Sequence, residues 1–163
     1  MKTEVLDQDQ ILRICNRFAF QILENSIDSD VIHIIGVKEK GFDIAKIVER
    51  ELKSITKKNI SLSSIKIDKK NPKDSVLSDS NLNKNADTIF LIDDVLNTGK
   101  TLIYCLSFLL NFNFKSIKTL VLIDRNHKQF PVKVDYKGIS LSTNINDNIK
   151  LLNENKKLKA ILF

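Results

Sequence analysis

The sequence predicts an α/β domain built as a doubly wound, mostly parallel central sheet with flanking helices and a small hood, and three observations lead there. Short apolar runs at Val31–Ile35, Ile89–Ile92 and Ile117–Ile123 read as strands buried on both faces. Two of these runs lead into segments whose apolar residues recur every three and four positions, the spacing of a helix with one buried face. Nothing repeats and no composition shift marks a boundary, and 163 residues suffice for one good core, so residues 1–163 are read as a single domain.

Taken in order, the first helix spans about Asp9 to Glu24. Ile11, Cys15, Phe18 and Ile22, with Leu12, Ala19 and Leu23, form its buried side, while Arg13, Asn16 and Arg17 lie opposite. After a turn at Asp28 to Asp30 comes the strand Val31–Ile35, ending at Gly36, in which His33 reads as a hydrogen-bonded core histidine. The loop Val37 to Gly41 opens a helix to about Ile55 with Ile44, Ala45, Val48 and Leu52 on one face. Ile60 to Ile67 alternates apolar with polar residues and reads as a strand toward the sheet edge.

Asp68 to Asp87 is the longest polar stretch in the chain, and a gap of that length inside a compact domain is usually a functional loop or else disorder, with a passive surface loop as the plainer alternative. It is read as a lid at about 68–87 that brings Lys69, Lys70 or Lys73 to the site. Beyond the strand Ile117–Ile123 a polar loop runs from Asp124 to Pro131. Val132 to Tyr136 then alternates as an exposed strand, Gly138 turns the chain, and strands near Ile149–Leu152 and Leu158–Phe163 close it.

The chemistry concentrates in Ile89 to Thr101, IFLIDDVLNTGKT. An apolar strand ends on two carboxylates, Asp93 and Asp94, and a polar turn, Asn97-Thr98-Gly99-Lys100-Thr101, leads into a helix. Backbone N–H groups, Thr hydroxyls and the positive end of a helix suit a phosphate there. The adjacent carboxylates suit the hydroxyls of a ribose, or a Mg²⁺ shared with it. No G-x-x-x-x-G-K-[ST] loop is present, so a sugar 5′-phosphate fits better than a nucleoside triphosphate. Lys38, Lys40 and the backbone near Gly41 offer a second anion pocket at the same sheet edge.

Charge and composition narrow the partners. Lys and Arg number 26 against 20 Asp and Glu, a net charge of +6 that favours polyanions such as a pyrophosphate or an RNA backbone. No run approaches the ~18 apolar residues of a membrane span, and MKTEVLDQDQ lacks the pattern of a secretion signal, so no membrane partner and a cytoplasmic location are expected. Cys15 and Cys105 sit on apolar helix faces with no metal-ligand spacing and read as core residues.

The segment IDDVLNTGKT resembles the phosphoribosyl pyrophosphate (PRPP) signature of type I phosphoribosyltransferases. With the opening EVLD, the loop IIGVKEKG and the block LVLIDRNHKQFPVKVDYKG, the chain is similar over nearly its full length to the bifunctional pyrimidine-operon attenuator and uracil phosphoribosyltransferase family. That resemblance implies an enzyme joining uracil to PRPP to give UMP and pyrophosphate, with Mg²⁺ on the PRPP and a homo-oligomeric assembly. By position, Asp93 and Asp94 would hold the ribose hydroxyls, take part in catalysis and reach the metal through PRPP. Asn97, Thr98, Gly99, Lys100 and Thr101 would take the 5′-phosphate, and Lys38, Glu39, Lys40 and Gly41 the pyrophosphate. Lys69 would act from the lid, and Arg125, Asn126 and His127 would shape the uracil and UMP side.

Two other functions are implied as alternatives: an RNA-binding attenuator or nucleotide sensor with little catalysis, in which Arg13 and Arg17 would meet RNA, and a phosphoribosyltransferase for another base, such as a purine. The chain departs from the family pattern at four places. Asn97 stands where many relatives carry an acid, and Glu39 stands in the pyrophosphate loop where a neutral residue is usual. Lys69-Lys70-Asn71 replaces an R-D-D motif, and Phe20 replaces a His on the first helix.

Overall fold

Among the described residues, nine strands and three helices follow in the order β1 (Thr3–Leu6), α1 (Gln8–Glu24), β2 (Val31–Val37), α2 (Lys40–Ile55), β3 (Asn59–Lys66), β4 (Val76–Ser78), β5 (Thr88–Leu96), α3 (Lys100–Leu109), β6 (Ser116–Asp124), β7 (Tyr136–Ser140), β8 (Ile149–Glu154) and β9 (Lys157–Leu162). The structure is a computed structural model that describes residues 2–68, 70, 71, 74, 76–78 and 87–163, with the backbone alone for 76–78. Lys69 and Lys73, read above as lid lysines, lie outside the described residues.

The main sheet has the order β4-β3-β2-β5-β6-β7. Its five strands from β3 to β7 are mutually parallel, and β4 alone runs antiparallel, against β3. Parallel strands need covering on both faces. On one face α1 and α2 lay Ile11, Phe18, Ile22, Ile44, Val48 and Leu52 over Ile32, Ile34, Phe90, Ile92, Leu120 and Leu122. On the other, α3 lays Leu102, Cys105 and Leu109 over Ile35, Ile65, Ile89, Leu91 and Val121. Burying one such side chain completely, as for Phe18, is worth about 1.5–3 kcal/mol.

A second, three-stranded sheet, β1-β9-β8, forms the hood. Its Leu6, Leu151, Leu158 and Ala160 join the core layer of α1 and α2. Among the described residues no helix is long and apolar enough to cross a membrane.

Several expectations are corrected. The first helix starts at Gln8, because Asp7 and Gln10 exchange backbone-to-side-chain hydrogen bonds of 2.8 Å in a capping box. β1 has no apolar run to reveal it and exists through its pairing with β9. The stretch 68–87 is not irregular throughout, since β4 lies inside it and takes the sheet edge, leaving β3 second from the edge.

Residues 132–135 are not a strand. Val132 and Val134 are buried in the α3 layer, the Asp135 N–H donates to the Thr119 carbonyl, and the Thr119 N–H donates to the Asp135 carboxylate. Alternation there reports a covering segment, and the strand follows it at Tyr136. Gly138 accordingly sits inside β7 and does not turn the chain. A Cβ on it would lie 2.4 Å from the Leu122 carbonyl oxygen and 2.8 Å from Ile14 Cγ2, so its smallness lets α1 press onto β7. His33 is buried as expected, but its Nδ1 has no hydrogen-bond partner among the described residues, and burial lowers its pKa.

Candidate active site

The site opens at the carboxyl ends of the parallel strands, where ligands of doubly wound sheets gather. β5 does not stop at its apolar run. It continues through Asp93 and Asp94 and stays paired with β6 as far as Leu96 opposite Asp124. Asp93 is 8% exposed, and its Oδ1 accepts the Asp94 N–H at 2.9 Å. Gly41 lies directly against it: a Cβ there would meet Ile92 O at 2.8 Å, Asp93 Cα at 2.9 Å and Asp93 Oδ1 at 3.0 Å. The first turn of α2 therefore abuts the acidic pair.

Gly99 makes the turn after β5. Its φ of 84° lies in the left-handed region that glycine enters freely, and it caps α3, whose first turn has no acidic side chain. The Thr98 carbonyl accepts the Gln129 and Phe130 N–H groups, which ties the turn to the 125–135 segment. A small cavity of about 50 Å³ lies within the turn, lined by Asp93 and residues 95–102. The positive end of α3 faces this region and favours an anion.

The larger cavity holds about 380 Å³ and brings together Val37, Lys38, Ile67, Asp93, Asp94, Val95, Asn97, Thr98, Lys100, Thr101, Arg125, Asn148 and Ile149. Of the expected pyrophosphate group, Lys38 lines it. Glu39 precedes α2 without capping it by its side chain, the Lys38–Glu39 peptide is cis, and Lys40 reaches Asp43 at 4.0 Å. Lys70 and Asn71 turn around Asp68, whose Oδ1 accepts both their N–H groups and whose pKa those bonds lower.

Of the expected base-side residues, Arg125 reaches the cavity and the other two serve the loop beside it. Asn126 has φ 58° and donates its N–H to Asp124 Oδ1. The His127 Nε2 donates to the Thr143 carbonyl at 2.5 Å. Arg125 is 2% exposed and donates to Asn97 Oδ1, Thr143 Oγ1 and the Asn144 and Asp147 carbonyls. Asp124, buried at the same strand end, feels desolvation that raises its pKa. The Asn126 N–H, Lys128 and Lys137 outweigh it, and the net shift is downward.

Residues 141–148 are thus fastened to the end of β6, and they carry Asn148 and Ile149 of the hood into the cavity wall. Neither was a candidate from sequence. Ile149 shows only as a strand residue there, and no local pattern signals that β8 comes to rest beside Asn97.

A family model described as a phosphoribosyl transferase domain matches residues 1–153. The chain belongs to that family. Among similar proteins, the "Bifunctional protein PyrR" of Haemophilus ducreyi is 31% identical over 163 residues, covering 94% of this chain and 91% of that protein. The protein of the same name from Streptococcus thermophilus is 27% identical, covering 93% and 90%.

Solved phosphoribosyltransferases share the fold. The hypoxanthine phosphoribosyltransferase of Trypanosoma cruzi superposes with a TM-score of 0.76 at 15% identity, over 97% of this chain and 95% of that one. A hypoxanthine-guanine phosphoribosyltransferase of Bacillus anthracis gives 0.71 at 17%, over 86% and 83%.

Proposed function

We propose that this phosphoribosyltransferase transfers the phosphoribosyl group of PRPP to uracil, giving UMP and pyrophosphate, in the cytoplasm and as a homo-oligomer. The observation that carries the reading is one cavity lined by the Asp93–Asp94 pair, the N-terminal turn of α3 and Lys38. Each part suits one piece of PRPP: carboxylates for ribose hydroxyls, the turn at 98–101 for the 5′-phosphate, and Lys38 for the pyrophosphate.

In the reaction the C1′–O bond to pyrophosphate breaks, the bond from uracil N1 to C1′ forms, and the N1 proton passes to the departing pyrophosphate or to water. Positive charge grows on the sugar while negative charge grows on the leaving group. Catalysis by such a site is chiefly orientation and electrostatic complementarity. Asp93 and Asp94 fix the ribose against β5, and Lys38 faces the departing charge. Among the described residues no three His, Cys, Asp or Glu side chains converge on a metal position. Two adjacent carboxylates and substrate oxygens fit Mg²⁺, which keeps several waters and binds with phosphates rather than in a protein cage. Bound with PRPP beside Asp93 and Asp94, it would neutralise leaving-group charge. The lid role of Lys69 belongs to this reading as well.

The acceptor base rests on the PyrR relatives, because the purine-specific structures are too dissimilar in sequence to speak for anything but the fold. RNA attenuation is a second reading, favoured by the net charge of +6 and by relatives named bifunctional. Arg13 and Arg17 lie on the exposed side of α1, although the Arg17 guanidinium already serves the Lys137 and Gly138 carbonyls at 3.1 and 2.8 Å.

Uracil-dependent release of pyrophosphate from PRPP with Mg²⁺ tests the first reading. Turnover in the wild type and its loss in the Asp93→Asn, Asp94→Asn double variant is expected. Release driven by hypoxanthine and not by uracil would replace uracil with a purine. Filter binding of a pyrimidine-operon leader RNA tests the second reading, which predicts salt-dependent, sequence-selective retention.

A further inference from the structure

Asn97 and Arg125 meet where the cavity runs beneath the hood, next to Asn148 and Ile149. Arg125 Nη1 donates to Asn97 Oδ1 at 3.0 Å. A guanidinium carries donors and no acceptor, so this contact fixes which way round the amide stands: the oxygen faces Arg125, and Nδ2 is left as a donor. Arg125 itself is held in place. It is 2% exposed, Nε and Nη2 reach Thr143 Oγ1 at 3.1 and 2.9 Å, and Nη2 reaches the Asp147 carbonyl at 2.6 Å. Turning the amide over would set N–H against N–H beside a buried cation, which is costly. Asn97 is exposed at the cavity wall, so its Nδ2, which makes no hydrogen bond among the described residues, is open to a ligand entering there.

We propose that Asn97 is a specificity residue for the acceptor base, oriented by Arg125 as a positioning residue, and that its Nδ2 selects a base with a carbonyl oxygen adjacent to the reacting nitrogen, a 2-oxopyrimidine. The inference rests on the uracil reading and adds to it the group that recognises the base. As N1 bonds to C1′ and gives up its proton, the negative charge of the base is shared between N1 and O2. A fixed N–H at O2 grows stronger as that charge develops, so it favours the transition state over the bound substrate. An amide cannot take the N1 proton, so Asn97 acts by donation and not as a base. In a purine the reacting N9 has no neighbouring carbonyl, and the donor goes unused.

The test compares kcat/KM for uracil, 2-thiouracil and 4-thiouracil in wild type, Asn97→Ala and Asn97→Asp. Sulfur is a weak acceptor, so wild type should disfavour 2-thiouracil about tenfold while treating 4-thiouracil much as uracil. Asn97→Ala should lose about tenfold on uracil and little on 2-thiouracil, closing the gap. Asn97→Asp keeps an acceptor for Arg125 but offers no donor, and should lose uracil at least as severely. General damage to the fold lowers both bases together and leaves their ratio alone.

A gap that survives in Asn97→Ala, or full uracil activity in Asn97→Asp, overturns the inference while leaving the uracil enzyme intact. Turnover of hypoxanthine without uracil overturns both. If no base is turned over, calorimetric binding of UMP and 2-thio-UMP to the same three proteins is decisive. A wild-type preference that Asn97→Ala abolishes supports the donor, and equal affinities overturn it.

Discussion

Gly41→Ala sets two opposing effects against each other. Alanine is favoured over glycine in a helix by about 1 kcal/mol, and Gly41 is the second residue of α2. Against that, the new Cβ would lie 2.8 Å from Ile92 O, where ordinary contact begins at 3.4 Å. Two of its three close neighbours are backbone atoms of β5, so no rotamer change relieves them. The first turn of α2 must retreat by the difference, about 0.6 Å, and overpacking of this kind costs about 1–3 kcal/mol.

With the helix gain of about 1 kcal/mol subtracted, the clash leaves a net loss of up to about 2 kcal/mol, which should lower Tm by up to roughly 8 °C for a chain of this size. Because the same turn carries the loop of Lys38, the displacement also moves a residue that lines the cavity. Misplacements approaching 1 Å can cost about a hundredfold in rate, so a rise of about tenfold in KM for PRPP is expected here. Thermal unfolding and PRPP kinetics on the same preparation measure both. A variant that melts above wild type with unchanged KM would show that α2 has room beside Asp93, and would refute this account of the packing.

Gly99→Ala places a Cβ at φ 84° and 2.5 Å from Val132 Cγ2, and should cost about 1–3 kcal/mol in urea unfolding while weakening PRPP binding. Arg125→Met removes the fastening of residues 141–148 and should cost about 2–4 kcal/mol, with faster amide exchange in that segment; a loss under about 1 kcal/mol would mean the segment holds itself. Burial lowers the His33 pKa from its ordinary 6.5, so the unfolded chain takes up the proton first as pH falls. Its contribution to stability is therefore whole above pH 6.5 and declines below it, and His33→Leu should flatten the slope of urea midpoint against pH between 5 and 7.

The parallel sheet and the acidic edge were legible in the sequence because each is local: Ile89–Ile92 announces a buried strand, and Asp93-Asp94 with Asn97–Thr101 announces the chemistry after it. The reach of β5 to Leu96 was not, since two carboxylates do not look like strand and only pairing with β6 keeps them in one. Val132 and Val134 misled because burial on one side produces a period of two in a covering segment as readily as in a strand. Gly138 misled because close packing and turning both call for glycine, and sequence does not separate them. Ile149, Asn148 and the grip of Arg125 on Asn97 depend on contacts between distant segments, which no local pattern encodes.

The pairing of Thr3 with Leu162 carries a consequence for biosynthesis. A ribosome delivers β2, β3, β5, β6 and β7 before β9 exists, so the parallel sheet and the acidic pair can assemble on a nascent chain. β1 must wait for almost the whole chain before it finds its neighbour, and β8 acquires its antiparallel partner only then. The wall that Asn148 and Ile149 contribute is therefore the last to close. On the uracil reading proposed above, the pocket meant for the sugar phosphate would be laid down before the wall meant to enclose the base.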